Sequence, residues 1–123
     1  MTTTAASRQA LGAYGEDVAA RLLTLERGMT LLDRNWRCRE GELDLVLADG
    51  PVLVACEVKT RRGTWCGSPH EAVDATRLER LHRLVWRWAE EHGHVTEEVR
   101  VDLVAVMRPV RGPADAEHVE GLG

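Results

Sequence analysis

The chain has 123 residues, of which 44% are hydrophobic and 29% are charged, and its net charge is −4. This length allows one hydrophobic core with little room for a second, and the apolar content excludes a disordered chain. No apolar run approaches the roughly 20 residues of a membrane span, no secretory leader is visible, and the three cysteines do not form a disulfide framework, so we expect a cytoplasmic protein.

The first part of the chain predicts a helix followed by a strand. Residues 1–7 are small and polar, and we expect them to be disordered. From about residue 8 to residue 27 apolar side chains recur at helical spacing, and Gly28 provides a stop signal. Residues 30–37 are predicted to form an edge strand.

Two apolar segments, 41–47 and 52–59, are predicted to pair as an antiparallel hairpin, because Asp49-Gly50-Pro51 between them is typical of a tight turn. Side chains alternate between the two faces of a strand. Alternation places Leu43, Leu45 and Leu47 on one face and Glu42, Asp44, Val46 and Ala48 on the other. It also places Glu57 and Lys59 on a common face. If Asp44 and Glu57 lie on the same side of the sheet, two carboxylates and one ammonium group come together.

The second half of the chain predicts a helix, a strand and a tail. The helix covers about residues 70–92, and its core stripe is Leu78, Leu81, Val85 and Trp88. A strand follows at 99–107, and the Pro- and Gly-containing tail, residues 109–123, is predicted to be mobile. The order α-β-β-β-α-β indicates a single α/β domain over residues 8–108, with a mixed sheet flanked by helices.

The acids of the hairpin suggest a chemistry. Clustered carboxylates cost free energy unless a cation or a tight network compensates for them. Mg²⁺ takes one or two carboxylates plus water and substrate phosphate, and a nearby lysine can orient the nucleophile or offset phosphoryl charge. Together these features predict phosphodiester hydrolysis. The plainer alternatives are a solvent-facing Asp44 and an exposed ion pair between Glu57 and Lys59.

The same residues resemble a known group of proteins. An Asp, a strand and then Glu-x-Lys is the signature of the restriction-endonuclease-like nucleases, which share an αβ core. The wider pattern resembles the YraN-like family of small bacterial proteins, from about Leu11 to about Met107. Its ordered motifs here are Gly12-Ala13-Tyr14-Gly15-Glu16, Arg34-Asn35-Trp36-Arg37, Gly41-Glu42-Leu43-Asp44-Leu45, Glu57-Val58-Lys59-Thr60-Arg61 and Arg100-Val101-Asp102.

This resemblance implies a restriction-endonuclease-like domain related to archaeal Holliday junction resolvases and to the tRNA-endonuclease-like fold. It implies that Asp44 and Glu57 bind Mg²⁺ or Mn²⁺, that Lys59 is the catalytic lysine, and that Glu16 is an additional catalytic acid. Glu42 is a further candidate acid.

The chain departs from these patterns at three places. Leu43 stands where a Pro often precedes the Asp of the nuclease signature. Ala55-Cys56 replaces the bulkier pair that is usual before the Glu in the YraN-like pattern, and Arg77 stands where a Lys is common.

The charge distribution bears on the partner. A net charge of −4 is unusual for a nonspecific nucleic-acid binder, but arginines flank the acidic hairpin. We predict nucleic-acid contacts by Arg37, Arg61 and Arg62, with DNA rather than RNA as substrate, and a two-fold homodimer if paired cuts are made. The arginines of the second helix are interpreted as a solvated face, with nucleic-acid contact as the alternative. The alternative function is a module that keeps the nuclease fold and binds nucleic acid or protein without turnover.

Overall fold

The computed structural model describes residues 4–63 and 68–123, apart from the side chains of residues 70 and 71; Trp65 and Cys66 therefore lie outside the described residues. Two helices and five strands are the main elements. In chain order they are α1 (Ala5–Arg21), β1 (Thr30–Cys38), β2 (Gly41–Asp49), β3 (Val52–Arg62), α2 (Ala75–Glu91), β4 (Glu98–Arg108) and β5 (Asp115–Val119).

Helix α1 begins earlier than its apolar pattern predicts. Thr4 caps it, because the Thr4 side chain accepts a hydrogen bond of 3.0 Å from the Ser7 backbone N–H. Residues 5–7 are therefore helical, which corrects the disorder predicted for that part of residues 1–7. The helix continues into one π-helical turn, Leu22–Glu26, and the chain leaves it through Gly28 at φ 70°.

The five strands form one mixed sheet in the order β1-β2-β3-β4-β5. The predicted hairpin is confirmed, since β2 and β3 pair antiparallel. Strands β3 and β4 are parallel, and α2 connects them as a crossover after a short 3-10 turn, Pro69–Ala72. The predicted α/β class and element order are confirmed, with one strand added at the end.

The added strand corrects the prediction of a mobile tail over residues 109–123. Asp115–Val119 pairs antiparallel with β4, from Leu103↔Val119 to Met107↔Asp115. Its sequence, Asp-Ala-Glu-His-Val, is too short and too polar to stand out as a strand, and pairing with the edge of β4 supplies what intrinsic preference does not.

The sheet has an apolar core on each face. Ala19 of α1 and Leu23 of the π-helical turn pack on one face, with Leu45, Leu47, Val54 and Cys56 of the hairpin. Helix α2 covers the other face with the buried residues Leu81, Leu84, Val85, Trp88 and Ala89. Leu81, Val85 and Trp88 are buried as predicted, while Leu78 is partly buried. Neither helix in the described part of the chain could span a membrane.

Candidate functional site

The site begins where the alternation of β2 is broken. Leu45 belongs to the core under α1, whereas Leu43 belongs to the core under α2, although the two are only two residues apart. The predicted common face of Leu43, Leu45 and Leu47 is therefore wrong for Leu43. On the paired strand Asn35 adopts φ 52°, between Arg34↔Leu45 and Trp36↔Leu43. Asparagine takes this left-handed conformation more readily than most residues, so both strands turn over at this point.

Strands β2 and β3 separate just beyond this break. Their register runs from Asp49↔Val52 to Leu45↔Cys56. The next backbone donor on β3, the Val58 N–H, donates instead to Asp44 Oδ2 at 2.9 Å. The Asp44 carboxylate thus lies where β2 and β3 diverge, a place that we call the fork. Its Oδ2 accepts the Val58 hydrogen bond, and its Oδ1 takes no part in that bond.

Glu57 lies in the same fork and is 5% exposed. Two cationic groups surround its carboxylate. Arg77 Nη2 of α2 lies 2.8 Å from Glu57 Oε2, and Lys59 Nζ lies 3.7 Å from Glu57 Oε1. Glu57 and Lys59 are on one face, as alternation predicts. Lys59 is also the only lysine in the chain.

Glu16 reaches the fork from α1. Its side chain is 17% exposed and lies 3.5 Å from Arg34 Nη2. The preceding residue, Gly15, is buried against β3, where an added Cβ would fall 1.8 Å from Thr60 Oγ1. Only a glycine permits this approach, which holds Glu16 next to the strand that carries Lys59.

The electrostatics of the fork disfavour a second negative charge. Burial, the charge of Glu57, a hydrogen bond with the Glu57 side chain and the charge of Glu16 together raise the pKa of Asp44 to about 7. The hydrogen bond from Val58 acts in the opposite direction. A large fraction of Asp44 therefore carries a proton near neutral pH, and a cation bound at the fork would favour its charged form.

The donor set fits one kind of metal ion. Within residues 4–63 and 68–123, no group of three or more His, Cys, Asp and Glu side chains could hold a metal ion. Two adjacent carboxylates, Asp44 and Glu57, suit Mg²⁺ or Mn²⁺, which fills its other positions with water and substrate phosphate. The pair does not suit a structural zinc ion, which needs four protein ligands.

The predicted nucleic-acid contacts lie in two places. Arg37 is on the edge strand β1, is 78% exposed and pairs with Glu42 across the strands at 2.9 Å. Arg61 and Arg62 are exposed at the carboxyl end of β3, and Arg62 Nη2 donates to Ser7 Oγ at 2.8 Å. Arg37 is thus separated from the other two.

The basic group at the end of β3 is larger than the sequence indicates. Arg108 lies beside Arg62 on β4, and its guanidinium stacks 4.9 Å from the centre of the Tyr14 ring. Arg8 is on the first turns of α1, next to the Ser7 that Arg62 contacts. We call Arg8, Arg61, Arg62 and Arg108 the basic end of the sheet.

Two other polar groups have structural roles. The Cys56 thiol is fully buried, and burial raises its pKa well above the ordinary value, so it is not a nucleophile. Asp102 is buried and bonds Arg100, His118 and the Gly121 N–H. Burial would raise the pKa of Asp102, but the hydrogen bonds from His118 and Arg100 hold it below its usual value.

The structure brings the predicted site residues Asp44, Glu57 and Lys59 together, and Glu16 lies close enough for its charge to act on Asp44. Their catalytic roles stay predictions. Sequence reasoning did not anticipate the bond of Arg77 to Glu57, nor the turnover at Asn35. Position 77 is a departure from the family pattern, and Asn35 lies within the motif Arg34-Asn35-Trp36-Arg37, but neither signal specifies a contact.

Comparisons with known proteins identify the family. The uncharacterised protein family UPF0102 matches residues 15–106. A UPF0102 protein of a Nocardioides species is 54% identical over 125 residues and covers 100% of both chains. A relative from Frankia casuarinae is 55% identical over 94% of this chain and 97% of its own, and one from Streptomyces coelicolor is 52% identical over 94% and 90%. These matches confirm the resemblance to the YraN-like proteins, and the chain belongs to the uncharacterised family UPF0102.

Proposed function

We propose that this chain binds nucleic acid and hydrolyses its phosphodiester bonds with Mg²⁺ or Mn²⁺. One observation carries the proposal: Asp44 and Glu57 meet in the fork between β2 and β3, with the ammonium group of Lys59 3.7 Å from Glu57. Two carboxylates that repel one another, beside a cationic donor, form an arrangement suited to a phosphate ester.

Each residue of the fork would have its own role in the hydrolysis. A divalent cation held by Asp44 and Glu57 would supply positive charge beside the phosphate and make a water molecule more acidic. Asp44 would hold the cation through its charged carboxylate, which the hydrogen bond from the Val58 N–H keeps oriented. The Lys59 side chain is 31% exposed, so its ammonium group could donate a hydrogen bond to the attacking water or to a phosphoryl oxygen.

The surroundings of the fork support a nucleic-acid substrate. The basic end lies on β3 just past Lys59, so a strand bound at the fork could continue over Arg61 and Arg62. Arginines bind phosphate through paired N–H donors, and the Tyr14 ring under the Arg108 guanidinium holds that group in place by a cation–π contact. Asp115 of β5 lies opposite Met107 and reduces the positive charge there. We propose DNA as the substrate, and a homodimer where paired cuts are made.

A second function has an observation in its favour. Glu57 is already bonded by Arg77 and lies near Lys59, and the chain as a whole is acidic, with a net charge of −4. A module that keeps this fold and binds nucleic acid or protein without turnover would also stabilise Glu57 in this way.

Cleavage assays on purified protein distinguish the two functions. The protein is incubated with Mg²⁺ or Mn²⁺ and single-stranded, duplex, flapped and four-way-junction DNA, and with RNA. We expect cleavage of at least one DNA substrate, and a loss of at least about a hundredfold in Asp44→Asn and Lys59→Ala, because each removes a charge needed at the phosphate.

The matched control is Glu97→Gln, which removes an exposed carboxylate just before Glu98, at the end of β3 opposite to Lys59, and should cleave like the wild type. Binding without cleavage on every substrate would favour the non-catalytic module. Equal cleavage by the wild type and both fork variants would indicate a contaminating nuclease and overturn the proposal.

A further inference from the structure

Among the residues of the fork, Arg77 has contacts that are the hardest to explain as a permanent ion pair. Its Nη2 donates to Glu57 Oε2 at 2.8 Å, while Lys59 approaches the other oxygen at 3.7 Å. Glu57 therefore has two cationic neighbours and a buried carboxylate. A divalent cation bound to Glu57 would itself neutralise this carboxylate, and a guanidinium that now serves as its counter-ion would then be available for another role.

The second observation is a donor without an acceptor. Arg77 Nε is buried and has no hydrogen-bond partner among the described residues. A buried polar group that makes no hydrogen bond costs free energy. A position in which both N–H edges of the guanidinium are hydrogen-bonded would therefore be more favourable.

The side chain of Arg77 is able to make that movement. Its backbone is fixed on the first turn of α2, where the Arg77 N–H donates to the capping Asp74 Oδ1 at 2.8 Å. The side chain itself is 37% exposed, in contrast to the 5% of Glu57. Rotation of the side chain alone would carry the guanidinium from the fork towards solvent.

We propose that Arg77 is the resting counter-ion of Glu57, that a divalent cation displaces it, and that its guanidinium then binds a phosphate of the nucleic acid. This inference rests on the proposed function. A doubly charged cation at Glu57 would repel the nearby guanidinium, and a phosphate offers two oxygens in the geometry that a guanidinium matches. The exchange would couple entry of the cation to capture of the substrate.

Direct binding of Mn²⁺ tests the displacement. Titration calorimetry on the wild type, Arg77→Met and Arg77→Gln should show Mn²⁺ bound several-fold more tightly by both variants, because no cation has to leave Glu57. Two variants are used so that one remains if the other fails to fold. The control is Arg83→Met on the same helix, whose guanidinium pairs with Glu79 on the surface at 3.1 Å, and it should leave the Mn²⁺ affinity unchanged.

Binding of labelled duplex and four-way-junction DNA, with Ca²⁺ in place of Mn²⁺ to prevent cleavage, tests the second half. We expect Arg77→Met and Arg77→Gln to lose about tenfold in DNA affinity, as is usual when one charge-assisted hydrogen bond is removed. Unchanged DNA affinity in both variants would overturn the phosphate contact.

The metal titration also separates this inference from the proposed function. If Mn²⁺ binds the wild type but binds the Arg77 variants about ten to a hundred times more weakly, by the usual rule for residues that orient a ligand, Arg77 supports Glu57 and the displacement is overturned while the nuclease proposal stands. Equal Mn²⁺ affinity in wild type and variants also overturns the displacement. If the wild type binds no Mn²⁺ and cleaves nothing, the proposed function itself fails.

Discussion

Gly15 determines how closely α1 approaches the strand that carries Glu57 and Lys59. A Cβ at this position would lie 1.8 Å from Thr60 Oγ1 and 2.9 Å from Thr60 Cβ, and although rotation could move Oγ1 away, the Thr60 Cβ can move only with β3 itself. The contact fixes the distance between Glu16 and the fork. A residue with no side-chain chemistry thus positions one of the catalytic candidates.

Gly15→Ala should destabilise the protein by about 1 to 3 kcal/mol, the usual range for overpacking of a close contact. Urea unfolding measures this change. Gly12→Ala is the matched control, because no described atom lies within 4 Å of its added Cβ, and it should stabilise the helix by about 0.5 to 1 kcal/mol. Adding Thr60→Ala should recover part of the stability; equal stability of Gly15→Ala and the wild type would contradict the steric argument.

At the scale of single residues, the sequence predicts the face of the sheet on which a side chain lies wherever the strand alternates strictly. Glu57 and Lys59 share a face because β3 is regular from Val52 to Arg62. Alternation places Leu43 on the wrong face because the turnover depends on the positive φ of Asn35, which no periodicity records. The bond between Arg77 and Glu57 could not be predicted because it joins residues 20 positions apart, and only the assembled fold brings them together.

At the scale of elements, the hairpin, both helices and β4 could be predicted, since each has a clear apolar period and a turn or stop signal. Strand β5 could not, because three of its five residues, Asp115, Glu117 and His118, are charged or polar. It is held by contacts instead. Arg100 bonds Asp102 at 2.8 Å, Asp49 at 2.9 Å and Glu120 at 3.2 Å, so it ties β4 to the hairpin turn and to the end of the chain.

Arg100→Gln should therefore lower the free energy of unfolding by about 3 kcal/mol, because it leaves the buried Asp102 carboxylate with fewer partners. Removal of Arg100 should also accelerate hydrogen exchange of the β5 amides, relative to the wild type, more than that of the β3 amides. Arg111→Gln removes an exposed arginine shortly before β5 and should change neither quantity. Unaltered exchange in β5 after removal of Arg100 would show that the strand is held without this network.

At the scale of the whole molecule, charge is separated along the sheet. The basic end lies where β3 and β4 finish, and Glu98 lies beside Val52 where they start. Glu90 and Glu91 at the end of α2, with Glu97, add to the acidic end. Each of these strands has eleven residues, and at a rise of about 3.3 Å per step its two ends are about 33 Å apart, several times the screening length of physiological salt. A net acidic chain can therefore present a basic surface locally.

If nucleic acid binds at the basic end, its salt dependence should follow from that end alone. Replacing Arg62 and Arg108 together with Gln should make the slope of log affinity against log salt shallower by about 0.9 for each phosphate that the protein no longer neutralises. Fluorescence anisotropy on duplex DNA at several salt concentrations measures the slope.

The control for this measurement is Arg83→Gln with Arg87→Gln. It makes the same change in net charge, but on the outer face of α2, where Arg83 pairs with Glu79 and Arg87 pairs with Glu40 and Glu91. The slope should not change in this variant. A larger change of slope in the α2 variant than in the variant of the basic end would indicate that DNA binds on that helix.

Lys59, beside Glu57 in the fork, is the only lysine of the chain. Any reagent selective for primary amines therefore has a single side-chain target, with the terminal amine as its one competitor. Reductive methylation with isotope-labelled formaldehyde would place one reporter signal at the centre of the candidate site. The protein thus carries a built-in spectroscopic probe, through which cation and substrate binding could be followed without a mutation or a turnover assay.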